Sequence, residues 1–196
     1  MIRFIADLHI GDKGVAEKLR GLTVEEHDAL IVENWNTVVE GFEDITYVLG
    51  DIGNDKSKSF WPTLHKLKGR VILIGGNHDN DIEELPKFTW QIMGCMEHEG
   101  YILTHIPVHP DEFTRWEEYG QVYKGNIHGH IHHHDVLAGI ECGTAPFCYF
   151  NNKRIDGLCK ECENAILYKD KRYFNVCCEK VNYTPLTLEE ILKLNE

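Results

Sequence analysis

Positively charged residues are scarce in this chain. It carries 20 lysines and arginines against 32 aspartates and glutamates, a formal net charge of −12 over 196 residues. The basic residues form no stripe, and only short clusters such as Lys153-Arg154 occur. Proteins that hold long nucleic acid without sequence preference usually present a basic face. The composition therefore argues against a partner that is long duplex nucleic acid.

Long hydrophobic runs are also missing. No apolar run approaches the roughly 20 residues that span a bilayer, and the first residues already read as a strand, which leaves no room for a secretory signal. No internal repeat or low-complexity linker is visible. Apolar content of 42% and charged content of 27% are ordinary globular values. We expect a single cytoplasmic domain over residues 1–196 with no membrane partner, and the sequence leaves its oligomeric state open.

Five short segments place aspartate, asparagine or histidine after an apolar run. In α/β proteins, ligand sites gather beyond the carboxyl ends of the strands, so five such loops can converge on one point. Seven ligand-type side chains are too many for one ion and suit two, which predicts a two-metal hydrolase. In chain order the segments are Asp7-Leu8-His9, Gly50-Asp51, Gly76-Asn77-His78-Asp79, His105 after Leu103-Thr104, and Gly129-His130-Ile131-His132.

These segments resemble the calcineurin-like metallophosphoesterase superfamily, whose pattern runs D-x-H, GD, GNH[DE], H and GHxH. All five elements are present in that order over residues 7–132. The tail, with Phe174-Asn175-Val176 and Asn182-Tyr183-Thr184-Pro185-Leu186, is similar to the closing segment of small bacterial and phage members. Residues 141–169 do not resemble the family.

The residues themselves predict an alternation of strands and helices. The resemblance adds the α/β architecture of the family, in which two mixed β-sheets pack as a sandwich flanked by helices. Capping boxes at Thr23 and Thr187 each predict a helix start. Apolar positions at helical spacing, among them Val24, Ile31, Trp35 and Phe42, extend the first helix over about 23–41. We expect strands at Ile2–Ala6, Ile45–Leu49, Arg70–Ile74 and Tyr101–Leu103, and further helices at Ser57–Leu67 and after Thr187.

The resemblance also implies how the ligands are shared between two ions. Asp51 would bridge them, Asp7, His9 and His132 would hold one, and Asn77, His105 and His130 would hold the other. A mixed nitrogen and oxygen set without thiolate suits manganese, iron, zinc, nickel or cobalt better than calcium or magnesium. Two such cations about 3.5–4 Å apart bind phosphoryl oxygens and lower the pKa of a water, which is what hydrolysis of an anionic ester needs.

His78 has a different implied role. In the resembling family it points at the leaving-group oxygen, which makes it the general-acid candidate. Asp79 follows it directly, and a carboxylate partner would hold the imidazole in one tautomer and favour its charged form. Outside the motif positions, His128, His133 and His134 are interpreted as structural or surface residues. His109 is equally compatible with a place at the mouth of the site and with one elsewhere.

The substrate class stays open at this point. The arginine pair that protein serine/threonine phosphatases of the superfamily carry after GD and GNHE is absent from residues 50–56 and 76–81. A monoester carries nearly two charges and gains more from such cations than a diester, so the sequence favours small or nucleotide-type phosphodiesters as substrates. The alternatives are a phosphomonoesterase and, in a different class, a metal-retaining scaffold that binds partners without turnover.

Four cysteines cluster where the resemblance fails. Cys142, Cys148, Cys159 and Cys162 form the spacing C-x5-C-x10-C-x2-C. Stable disulfides are rare in cytosolic proteins, so a structural zinc in an insertion over residues 139–171 is one hypothesis. The alternative is four buried or surface thiols in a β-hairpin insertion. Cys95, Cys177 and Cys178 are interpreted as structural.

Overall fold

The computed structural model describes residues 1–54, 56–79, 84–138 and 168–195. Strands and helices alternate through most of these ranges, as the sequence predicts. The strands are β1 (Ile2–Ile5), β2 (Ile45–Leu49), β3 (Arg70–Ile74), β4 (Gln91–Met93), β5 (Met96–His98), β6 (Tyr101–Thr104), β7 (Gly125–His128), β8 (Leu137–Ala138), β9 (Tyr168–Lys169) and β10 (Tyr173–Asn175). The α-helices are α1 (Val24–Val38), α2 (Phe60–Leu64), α3 (Leu85–Phe88) and α4 (Leu188–Leu192).

The first sheet has the order β1-β2-β3-β4 and is parallel throughout. Its two central strands, β2 and β3, are mostly apolar runs, and four of the five residues in each are buried. Such runs are typical of parallel strands that are covered on both faces. Because all four strands run the same way, their carboxyl ends lie at one edge.

The second sheet has the order β10-β7-β6-β5. β10, β7 and β6 are parallel, and β5 is antiparallel to β6, so this sheet is the mixed one. A separate antiparallel pair joins β8 to β9, with Leu137 opposite Lys169. The two larger sheets share one hydrophobic core, in which the His98 ring of β5 lies 5.4 Å from Phe4 and 5.7 Å from Tyr47 of the first sheet. The expected fold class, two sheets packed with helices outside, is confirmed, but in the described ranges only the second of the two sheets is mixed.

The chain that follows β10 connects the two sheets. The Val176 amide donates to His128 O at the end of β7, and Val176 O accepts from the Ala6 amide just beyond β1. The Cys178 amide then donates to Ala6 O, which gives a parallel bridge between Ala6 and Cys177. These bonds bring the carboxyl ends of β1 and β7 side by side. The loops that follow both strands therefore open at the same place.

Helix α1 covers the first sheet through a buried face. Ile31 and Trp35 are fully buried, and the indole Nε1 donates to Lys68 O at 2.9 Å. The capping box at Thr23 is confirmed, since its hydroxyl accepts from the Glu26 amide and the Glu26 carboxylate accepts from the Thr23 amide. The second expected capping box, at Thr187, forms in the same way at the start of α4.

Two expected helices are shorter than the periodicity predicts. α1 ends at Val38, because the chain turns where Asp44 accepts the amides of Glu40 and Gly41. Phe42 is therefore not on the helix: its side chain is exposed and lies over the Arg70 guanidinium at 5.0 Å. α2 begins only at Phe60, since a start at residue 57 would place Pro62 in a helix interior, where it lacks a donor and clashes.

Part of the predicted insertion is described. β9 falls inside residues 139–171 and pairs with β8, so the two ends of that segment meet in a short ladder. Cys142, Cys148, Cys159 and Cys162 lie outside the described residues, and the zinc hypothesis stays a prediction. No helix in the described ranges combines the length and the apolar character needed to cross a membrane.

Candidate metal centre

The loops after five strand ends bring the predicted ligands into two adjoining groups. Within each group the ligand atoms lie within 4.8 Å of one another. We call Asp7, His9 and His132 the first ligand group, and Asp51, His105 and His130 the second ligand group. Asn77 joins the second group, because its side-chain oxygen lies 2.9 Å from His105 Nε2. The structure thus brings together all seven side chains that the sequence nominated as ligands.

Asp51 lies between the two groups. Its Oδ2 atom is 3.6 Å from His9 Nε2 and 3.4 Å from His105 Nε2. Its other oxygen, Oδ1, accepts the backbone amide of His78 at 2.9 Å. One carboxylate oxygen therefore faces both groups, while the second is held by the backbone.

Five of these residues have left-handed backbone conformations, which non-glycine residues rarely adopt. Such conformations cost about 1–3 kcal/mol each and persist only where the surrounding structure enforces them, typically at functional sites. The backbone strain is therefore concentrated in the loops that orient the proposed ligand side chains. The residues and their φ angles are Asp7 (56°), His9 (49°), Asp51 (55°), His130 (73°) and His132 (48°).

Glycines leave room for the ligands. A methyl group at Gly129 would overlap Asp7 Oδ2, one at Gly76 would overlap Asp51 Oδ1, and one at Gly50 would overlap the His105 ring. The glycines of the GD, GNH and GHxH segments are thus required by close approach as well as by turn geometry. Gly50 also has a positive φ of 85°.

Several ligands have a partner that fixes their orientation. His105 Nδ1 lies 2.9 Å from Leu49 O, and this carbonyl can only accept, so the proton is on Nδ1 and Nε2 faces Asp51. Asp7 Oδ2 accepts the His130 amide at 2.8 Å and the Cys177 thiol at 3.1 Å. Partners of this kind are characteristic of metal ligands.

Three buried polar atoms of the ligand residues lack a hydrogen-bond partner among the described residues, namely Asp7 Oδ1, His9 Nδ1 and His9 Nε2. Asp7 Oδ1 and His9 Nε2 lie 3.8 Å apart. Buried polar atoms are normally satisfied, so an unpaired carboxylate oxygen facing an imidazole nitrogen calls for a further partner. A divalent cation fits this requirement, because both atoms are donors to a metal and their neighbours belong to the same ligand group.

Opposite charges offset each other in the metal-free protein. Burial alone would lower the pKa of His9, but contacts with Asp12 and Asp7 raise it to about 9. Burial alone would raise the pKa of Asp51, but the interaction with His105 holds it at about 2. The pKa of His130 is lowered by burial and by the charge of His105. The centre therefore holds an excess of carboxylate charge that protonated imidazoles compensate.

His78 lies at the exposed rim of the centre. Its ring is edge-on to the His9 ring, with centroids 5.4 Å apart. Asp79 does not form the expected pair with it. Instead the Asp79 carboxylate accepts the backbone amides of Asp51, Ile52 and Gly76 at 2.8–2.9 Å. Asp79 thereby ties the GD loop to the GNH loop and positions Asp51, which sequence adjacency to His78 could not reveal.

The histidines outside the motif positions lie in different surroundings. His128 is fully buried, with Nδ1 2.9 Å from Gly129 O, and burial lowers its pKa to about 4. His133 is exposed and His134 half-buried, and their rings lie 4.0 Å apart. His109 is exposed and accepts the Asp111 amide at the start of a short 3-10 helix.

Sequence reasoning missed the residues that support the first ligand group. The Glu179 carboxylate lies 3.1 Å from His132 Nδ1 and 2.8 Å from Arg20 Nε, and these contacts outweigh burial and lower its pKa to about 2. Asp12 lies 3.7 Å from His9 Nδ1. None of these residues belongs to a motif. Only the similarity of the tail to the closing segment of the family drew attention to the neighbourhood of Glu179.

Fold and site together define an α/β protein with two adjoining candidate metal-ligand groups and the Asp51 carboxylate between them. The chain is 31% identical over 171 residues to gene 66 protein of Mycobacterium phage L5, covering 69% of this chain and 79% of that protein. It is 30% identical over 201 residues to uncharacterized protein MJ1445 of Methanocaldococcus jannaschii, covering 100% of this chain and 91% of the relative. The chain belongs to the family that contains these two proteins.

A solved structure supports the same fold. Protein AQ665 from Aquifex aeolicus, whose structure was described as that of a protein of unknown function, is 26% identical with a TM-score of 0.64, and the similarity covers 99% of this chain and 98% of that one. The fold is therefore shared over nearly the whole of both chains. No family model matches the chain.

The affinity of the proposed centre for a metal ion should increase with pH. The pKa of His9 is raised from 6.5 to about 9, so its proton stabilises the metal-free fold below pH 6.5 and that contribution is lost as the pH rises towards 9. An ion requires the neutral imidazole and displaces this proton. We expect the affinity for Mn²⁺ to increase between these pH values by about tenfold per pH unit for each proton released. Calorimetric titration across the range measures it, and a pH-independent affinity would contradict the assignment of His9 as a ligand.

Proposed function

We propose that the protein is a metal-dependent phosphoesterase of the calcineurin-like metallophosphoesterase superfamily, which acts on small or nucleotide-type phosphodiesters. The single observation that carries this proposal is the position of Asp51 Oδ2, within 3.6 Å of a histidine nitrogen in each ligand group. Two cations that share one carboxylate are the arrangement used for in-line displacement at phosphorus. The order of the five motifs along the chain supports the same superfamily.

The donor set suits two divalent transition-metal ions. Asp7, His9 and His132 would hold one, and Asn77, His105 and His130 the other, with Asp51 Oδ2 between them. When bound, the ions would supply positive charge to the phosphoryl oxygens and lower the pKa of a water. The Asp51 carboxylate would be shared by the two ions, and the bond from the His78 amide to Asp51 Oδ1 fixes its orientation.

His78 suits the role of general acid. Its backbone is anchored to Asp51, while its exposed side chain lies beside His9 at the rim. An imidazole there can reach the leaving group of a substrate whose phosphate lies between the two ligand groups. With Asp79 committed to three backbone amides, solvent or the substrate itself must orient the His78 ring.

The positions of the arginine side chains support the preference for diesters. The Arg20 side chain is fully buried behind the first ligand group, so it is not available to a substrate. The motif loops carry no arginine at the positions where the protein phosphatases have them. A dianionic monoester would gain most from such a cation, whereas a monoanionic diester needs it less.

Hydrolysis of two chromogenic esters tests the proposal. Protein loaded with Mn²⁺ should hydrolyse bis-p-nitrophenyl phosphate faster than p-nitrophenyl phosphate, and dialysis against a chelator should abolish both activities. The chelated protein to which Mn²⁺ is restored is the control for irreversible loss. Turnover of neither ester by metal-loaded protein would favour the scaffold over the enzyme, and a preference for the monoester would make it a phosphatase.

Substituting the shared carboxylate should disable both ligand groups. Asp51→Asn replaces a charged bridge with an amide, which bridges poorly, so we expect loss of both ions or of most activity. Plasma spectrometry measures the metal content, and Asp111→Asn at an exposed position is the matched control. Wild-type metal content together with intact activity would refute the bridging role.

Substituting the proposed acid should separate chemistry from metal binding. His78→Ala should retain both ions and lose turnover by roughly 10²–10⁴-fold, the usual contribution of a positioned acid. The loss should be smallest for p-nitrophenyl esters, because their leaving group needs little protonation. His109→Ala, at an exposed histidine outside the motifs, should behave as wild type. Equal losses across leaving groups of different basicity would instead indicate that His78 only binds substrate.

A further inference from the structure

A buried charged pair supports one side of the metal centre. Arg20 lies at the end of a π-helix over Gly14–Leu19, and Glu179 lies in the turn beyond the segment that joins the two sheets. Their side chains are 0% and 15% exposed, and Arg20 Nε donates to Glu179 Oε1 at 2.8 Å. Neither residue belongs to the ligand motifs. A buried ion pair contributes little net stability by itself, so stability alone does not account for this pair.

Glu179 acts directly on a ligand. Its Oε1 lies 3.1 Å from His132 Nδ1. A carboxylate can only accept here, so the proton of His132 is on Nδ1 and the lone pair on Nε2 is left for an ion. A carboxylate behind a ligating imidazole fixes its tautomer and ring orientation and raises its basicity.

Arg20 connects the same carboxylate to the loop that carries the other two ligands. Its Nη2 atom donates to Asp7 O at 2.6 Å, and its Nη1 atom donates to Leu8 O at 3.1 Å. These carbonyls belong to the segment in which Asp7 and His9 have left-handed backbones. One guanidinium therefore holds the Asp7–His9 loop and, through Glu179, His132. The planar fork of arginine can satisfy such divergent acceptors, whereas the single ammonium of lysine cannot.

Arg20 is itself fixed by helix α1. Its Nη1 atom lies 2.5 Å from His27 Nε2, and since arginine only donates, the proton of His27 is on Nδ1, which faces Asp28 at 3.1 Å. The Asp28 carboxylate also accepts the amide of Gly11, two residues after His9, at 3.0 Å. His27 and Asp28 are both buried. The network therefore runs from the helix to the ligand loop without reaching solvent.

The second ligand group is held by other contacts in the described ranges. His105 Nδ1 donates to the neutral carbonyl Leu49 O, and Asp51 is held by backbone amides and Asp79. The hydrogen bonds of Arg20 and Glu179 described above go only to the first group and to α1. The side-chain support of the two groups therefore differs, although the His130 amide joins them through Asp7 Oδ2.

We infer that Arg20 and Glu179 are positioning residues for the first ligand group alone, so that they set the affinity for one of the two ions and leave the other unchanged. The inference rests on the metal centre of the proposed function. Partners of this kind typically change metal affinity by about 10–100-fold when they are removed. A merely structural role, in contrast, would weaken both ions together or neither.

The test measures each ion separately. In a His105→Ala background the remaining ion occupies the first ligand group, and in a His9→Ala background it occupies the second. Adding Glu179→Ala should weaken Mn²⁺ binding by about 10–100-fold in the first background and leave it unchanged in the second. Affinities come from equilibrium dialysis followed by plasma spectrometry. Equal weakening in both backgrounds, or none in either, would overturn the inference.

Further variants separate positioning from folding. Glu179→Gln keeps the shape and an acceptor for His132, so it should weaken the first ion less than Glu179→Ala does, and it serves as the test if the alanine variant does not fold. Arg20→Lys should weaken the same ion. Asp170→Ala removes a buried carboxylate paired with Arg172, and it should lower thermal stability without changing either affinity. Wild-type protein that bound no Mn²⁺ at all would refute the metal centre itself, and this inference with it.

Discussion

The centre depends on one short set of backbone hydrogen bonds, those that Ala6 makes with the chain after β10. Ala6 donates to Val176 O and accepts from the Cys178 amide, while the Val176 amide donates to His128 O. Without these bonds the ends of β1 and β7 belong to two separate sheets, and their loops need not meet. With them, Asp7 and His130 come close enough for the His130 amide to donate to the Asp7 carboxylate at 2.8 Å. The shared carboxylate of Asp51 then has a histidine on each side.

Different groups around this junction position the proposed ligand side chains in different ways. Glycines provide the space, backbone amides orient the carboxylates, and charged or carbonyl partners fix the histidine tautomers. Asp79 is one of the groups that position Asp51, because its carboxylate accepts three backbone amides, including that of Asp51 itself. Burial raises its pKa and these bonds lower it, and the balance lies above the usual value. A carboxylate that accepts three amides is thus held in place by hydrogen bonds, with the nearby charge of Asp51 opposing its ionisation.

Much of this could be predicted from the sequence because it is encoded locally. Short patterns predict the strands at Ile45–Leu49 and Arg70–Ile74, the caps at Thr23 and Thr187, and the seven side chains of the proposed centre. The predicted end of α1 was wrong because a turn at Asp44 overrides the periodicity. The predicted start of α2 was wrong because the pyrrolidine ring of Pro62 does not fit a helix interior. Arg20 and Glu179 could not be found, since they are 159 residues apart and become partners only when the fold is complete.

The left-handed backbones of five ligand residues also bear on which ions the centre accepts. A loop whose dihedral angles are already fixed loses little conformational entropy when an ion binds. The binding free energy is then not reduced by a cost of ordering the chain. Loops fixed in this way would also adjust little to the geometry that an ion prefers. Affinity rises along the first-row metals towards copper whatever the donor set, and copper favours a square-planar arrangement. If the proposed centre binds divalent ions, a stiff, three-dimensional cage would penalise that geometry and would discriminate among competing metals by shape as well as by intrinsic affinity.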